Sequence, residues 1–89
     1  MQSKNLEIIN KLGLHARAAA KLVALASRFH AEIEIHRNGK TVNGKSIMGV
    51  MMLAASKGAI VQITAAGDDE TDAINQIEAL IQGRFGESC

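Results

Sequence analysis

The segment Ala31-Glu32-Ile33-Glu34-Ile35-His36 alternates apolar and polar residues without a break, and Asn38-Gly39 follows it. Strict alternation puts one side of a strand toward a core and the other toward water. Asn-Gly is a hairpin signal because both residues tolerate the positive φ of a tight turn, so Lys40-Thr41-Val42 reads as the returning antiparallel strand. A sheet with one wet face must place its covering elements on the other face. Two more strands extend it: one over 4–9 with Leu6 and Ile8 inward, and one over 59–66. In the latter, Val61, Ile63 and Ala65 share a face against Gln62 and Thr64.

Helical spacing accounts for the rest. Ala19, Leu22, Val23, Ala26 and Phe29 predict a helix over 16–28, and Ala73, Ile74, Ile77, Leu80 and Ile81 predict another over 69–82. Asp68, Asp69, Glu70 and Asp72 crowd the start of the latter, where the helix dipole favours them, and His30 suits the end of the former for the opposite reason. Gly83 closes the last helix, with a fraying tail beyond. A short third helix over 46–53 completes the order βαββαβα. The expected fold is α+β: an open-faced β-sandwich, a four-stranded antiparallel sheet with three helices on one face. One domain spanning 1–89 is expected, its core aliphatic because the chain has two Phe and no Trp or Tyr.

Charge and composition exclude several classes. The net charge is +1, and aromatic platforms are missing, which argues against nucleic acid. The distribution is uneven. Residues 1–67 hold nine of ten Lys/Arg and three of nine Asp/Glu, giving +6, and the remaining one and six give −5. No apolar run approaches the roughly 18 residues of a membrane span, and no signal-peptide pattern opens the chain, so membrane insertion is not expected and a cytoplasmic location is. Cys89, the single cysteine, reads as a solvated tail thiol. His15, His30, His36 and Cys89 match no common zinc spacing, so neither metal nor cofactor is expected. His36 reads as solvated on the polar side of its strand.

Two segments carry chemistry. In Gly13-Leu14-His15-Ala16-Arg17-Ala18-Ala19 a histidine stands at a loop-to-helix junction, an arginine two residues on. Neutral imidazole is a nucleophile near pH 7, and helix-start amides with a guanidinium hold an anion brought to it. The second segment is Ser46-Ile47-Met48-Gly49-Val50-Met51-Met52-Leu53. Ser46 is a natural N-cap. A helix this apolar cannot bury its whole circumference, so part of Ile47, Met48, Met51 or Met52 must face solvent or a partner, while Val50, Leu53 and one methionine fit a core. Methionine surfaces adapt to several partners.

Together with Asn38-Gly39-Lys40 and Lys45-Ser46-Ile47-Met48-Gly49-Val50-Met51, the His15 motif resembles the HPr family, phosphocarriers of the bacterial phosphoenolpyruvate-dependent sugar phosphotransferase system. The similarity covers nearly the whole chain, and the nitrogen-related branch of the family shares the histidine motif. The resemblance implies that His15 accepts a phosphoryl group on Nδ1 from phosphorylated enzyme I, assisted by Arg17, and passes it to IIA domains of sugar permeases. It implies Ser46 as the site of a regulatory kinase and phosphorylase, with a transcriptional regulator as a further partner. Leu14, Ala18, Ile47, Met48 and Met51 become the partner surface of what is expected to be a monomer. Where the family usually has proline after the arginine, this chain has Ala18; slower or less tightly controlled, but not abolished, transfer is expected, the lost pre-organisation amounting to about 0.4–1 kcal/mol.

Such a carrier stands at the border of the enzyme category, because no paired carboxylate or second base accompanies His15 in the sequence. The helix end and Arg17 are expected to disfavour imidazolium and keep the ring nucleophilic. The alternative is a non-catalytic regulatory protein acting through phosphorylated Ser46 and the methionine helix; His15→Ala would spare its role and Ser46→Ala destroy it.

Overall fold

The hairpin forms where the alternation places it. In the computed structural model, which describes residues 1–88, β2 (Glu32–Arg37) and β3 (Lys40–Asn43) pair antiparallel. Between them Asn38 and Gly39 take φ values of 50° and 80°. Ile33 and Ile35 are buried and Glu32 and Glu34 exposed, so the period-two pattern sorts into a dry and a wet face. β1 (Gln2–Glu7) and β4 (Ile60–Ala66) complete an antiparallel sheet of order β1-β4-β2-β3, with Leu6 opposite Val61 and Ile35 opposite Ile63.

The helices α1 (Ala16–Ala26), α2 (Ile47–Met52) and α3 (Glu70–Gln82) fall in the expected order. Their stripes bury Leu22 and Val23 from α1, Val50 from α2, and Ile74, Ile77 and Ile81 from α3 against the inward residues of the sheet. Boundaries differ from the sequence reading in ways the packing explains. β1 ends at Glu7, yet Ile8 is fully buried and its backbone still bonds to the 58–59 turn (N–H to Ala59 O, 2.9 Å; O from Gly58 N–H, 2.7 Å). Helix α1 stops at Ala26 and tightens: Arg28 N–H donates to Leu25 O and Phe29 N–H to Ala26 O, which still lets Phe29 reach the core. Thr64 is buried rather than wet, its hydroxyl 3.1 Å from that of Ser3.

One link between elements and one expectation about the chain end stand out, and the second is corrected. His30 lies four residues beyond the end of α1, and its backbone N–H, with that of Ala31, donates to the Asp69 carboxylate (2.8 Å each). Asp69 thus ties the start of α3 to the entry of β2 instead of capping its own helix. The segment after Gly83 does not fray. Arg84, Phe85 and Gly86 all adopt left-handed backbone (φ 55°, 54° and 78°), and Phe85 is completely buried. Lys21 Nζ donates to Phe85 O at 2.6 Å and fastens this turn to α1. The expected tail thiol, Cys89, lies outside the described residues.

Candidate functional site

The loop before α1 is built on Gly13. Its φ is +69°, and a Cβ there would stand 2.5 Å from Ala55 O and 2.8 Å from Ser56 Cα, so no other residue fits without backbone movement. Leu14 N–H donates to Ala55 O at 2.8 Å, which fixes the approach to the helix. His15 is then the N-cap residue, in extended backbone, and its O accepts the first helical bond from Ala19 N–H. No side chain caps α1 among the described residues, and its first turn holds no acid. By contrast, the Ser46 hydroxyl caps α2, accepting from Gly49 N–H at 3.1 Å. The start of α1 therefore keeps donors and positive dipole for something outside the chain.

His15 is partly exposed and lines an open groove of about 870 Å³ with Lys11, Leu12, Arg17, Lys21 and Glu87. The groove joins the basic loop to the acidic end of the chain. Glu87 Oε2 sits 2.6 Å from His15 Nε2, while Glu87 Oε1 accepts from Asn10 Nδ2 at 3.0 Å. Asn10 is fully buried, and its Nδ2 also donates to Gly13 O at 2.9 Å. Its Oδ1 has no hydrogen-bond partner among the described residues. No hydrogen bond among those residues reaches His15 Nδ1.

The sequence reading missed Glu87, Asn10 and Leu12. The field at the ring is not set by Arg17 and the helix end alone, because a carboxylate stands against its other nitrogen. Hydrogen bonds from His15, then from Asn10, hold the Glu87 carboxyl below its ordinary value; the backbone amides of His30, foremost, and Ala31 do the same for Asp69. A lowered folded-state carboxylate pKa means that the unfolded chain binds protons first as pH falls. The stability these groups give is full above their ordinary range and is lost as pH drops through the lowered values. The melting temperature should hold from pH 7 to about 5 and fall below about 4.5, and the fall should shrink in the Glu87→Gln/Asp69→Asn double variant. Calorimetric melts across that range check this.

Leu14 and Ala18 are buried, so they support the loop and the first turn from beneath and do not form the partner surface expected of them. Arg17 is exposed at the groove. On α2, Val50 and Leu53 go inward, but no methionine joins them: Met48, Met51 and Met52 are exposed together with Ile47. Met52, a candidate on sequence for solvent or a partner, is 66% exposed and belongs with this patch, although the partner surface implied by the resemblance named only Ile47, Met48 and Met51.

Comparison with known proteins gives one answer. The family described as PTS HPr component phosphorylation site matches residues 2–83. Phosphocarrier protein HPr of Cupriavidus necator is 53% identical over 98% of both chains, and that of Neisseria meningitidis is 51% identical over the same share. The crystal structure of HPr-C-His from Thermoanaerobacter tengcongensis superposes with a TM-score of 0.96 at 47% identity, covering all of both chains. A family match over most of the chain, full-length relatives at about half identity and one shared architecture agree: this chain belongs to the HPr family of phosphocarrier proteins of the phosphotransferase system.

Proposed function

We propose that this chain accepts a phosphoryl group on His15 Nδ1 from phosphorylated enzyme I and passes it to IIA domains of sugar permeases. The observation that carries this reading is the division of labour on the ring. Nε2 is held by Glu87, and Nδ1 has no hydrogen-bond partner among the described residues, at the start of a helix that no side chain caps. In the loading step the Nδ1 lone pair forms a bond to phosphorus as the donor–phosphorus bond breaks, its electron pair returning to the donor. The Nε2 proton stays on the ring. Unloading reverses this toward the acceptor. Exposed Arg17 is placed to meet the phosphoryl oxygens. The N–P bond formed is labile enough to be passed on.

Ile47, Met48 and Met51 supply the apolar docking surface for both partners, and the acting unit is one chain, 1–89, in the cytoplasm, since His15, Arg17 and Glu87 come from a single copy. Ser46 is the site of kinase and phosphorylase regulation, through which a transcriptional regulator is engaged. The partly buried hydroxyl already bonds an α2 amide, where an added phosphate meets favourable backbone charge. Incubation with enzyme I and labelled phosphoenolpyruvate, followed by acid, tests the carrier role. Acid-labile label is the expected result; acid-stable label, or none, overturns it and favours the regulatory reading.

A further inference from the structure

We infer that Glu87 is a positioning residue: with Asn10 behind it, it fixes His15 as the Nε2–H tautomer and leaves the Nδ1 lone pair facing outward. An ionised carboxylate can only accept, so at 2.6 Å the proton must lie on Nε2. In the neutral ring the other nitrogen is then the unprotonated one. Lys11, Arg17 and Lys21, which line the same groove, bring no competing acceptor. Phosphorylation of Nδ1 with Nε2 still protonated leaves positive charge on the ring, and the same carboxylate meets that charge as it develops. The consequence for transfer rests on the carrier reading above; the tautomer itself does not.

Asn10 makes the arrangement one-directional. Its Nδ2 orientation is forced by Gly13 O, a pure acceptor, and its second proton takes Glu87 Oε1. This orientation leaves a buried oxygen without a partner among the described residues, a cost that the two Nδ2 contacts have to offset. In Glu87→Gln the single amide oxygen goes to Asn10 and the NH2 group turns toward His15. A donor there selects the opposite tautomer, Nδ1–H, and blocks the nitrogen that must attack.

The test uses the full chain labelled with ¹⁵N-histidine, read by imidazole nitrogen shifts at a pH of about 8.5. Wild type should show protonated Nε2 and unprotonated Nδ1, Glu87→Ala a mixture, and Glu87→Gln mainly Nδ1–H. Phosphoryl uptake should fall about tenfold to a hundredfold in Glu87→Gln, less than the roughly 10⁴-fold seen for a wrong tautomer in a buried triad because this pair is partly wet. Glu87→Ala should be less impaired than Glu87→Gln. A merely structural role predicts the reverse ranking, since Gln keeps the size and one acceptor of Glu. Wild type dominated by Nδ1–H, or equal tautomer populations in wild type and Glu87→Gln, overturns the inference. Wild type that is Nε2–H yet takes no label leaves the positioning role standing and sinks the carrier reading instead.

Discussion

His15→Ala should lose phosphoryl uptake from enzyme I down to background while remaining folded. The imidazole is partly exposed, contributes no cap to α1 and has Glu87 as its hydrogen-bond partner. Alanine is a poor N-cap, but histidine is not capping either, so the helix start gives up nothing it had. The melting temperature should stay within about 4 °C of wild type, the range of an ordinary surface substitution in a domain of this size. Loss of label with a retained melt assigns the chemistry to the ring. Label persisting on the variant would place the acceptor elsewhere, and Ser46 would be the first site to map.

Phe85→Ala should have the largest effect on stability. Phe85 is fully buried, and removing a core phenyl typically costs about 3–5 kcal/mol against a total of roughly 5–15 kcal/mol. For a chain this long that is a fall in melting temperature of at least about 12 °C. The left-handed backbone at Phe85 gives Ala no relief, because Ala meets the same Cβ penalty there. Phe85 is also the anchor two residues before Glu87, so the His15 pairing should loosen with it. In Phe85→Ala the His15 tautomers should drift toward a mixture well below the melting transition. A drop of less than about 4 °C would mean that the turn over 84–86 is not held by this ring.

The periodic parts of the fold were legible because each reports a local rule. The alternation at 32–35 gave a strand with one dry face, and Asn38-Gly39 gave its turn. The stripes of α1 and α3 gave cover for that face. Ser46 was readable as a cap because the hydroxyl acts on an amide three residues away. The site was half legible. His15 and Arg17 are close in sequence, but Glu87 meets His15 across a separation of 72 residues, and no local pattern encodes that contact. On sequence Gly83 marks the end of order, because the three successive left-handed residues after it follow the pattern of no regular element. One signal was present: an aromatic residue, one of only two in the chain, stands in the segment taken as frayed. A solvated tail rarely spends a phenyl group. Leu14 and Ala18 misled for the converse reason. Adjacency to a reactive residue suggests contact with its partners, yet Leu14, pinned to Ala55 O before the helix begins, and Ala18, on the inner side of α1, are both buried while Arg17 is exposed and His15 partly so.

The pairing of residue 15 with residue 87 has a temporal meaning during synthesis. A nascent chain exposes its histidine long before the last turn leaves the ribosome, and until then Glu87 cannot pair with the ring. On the tautomer inference above, the ring becomes uniform only once residue 87 is in place, so copies lacking that turn would take up phosphoryl poorly if His15 is the acceptor proposed.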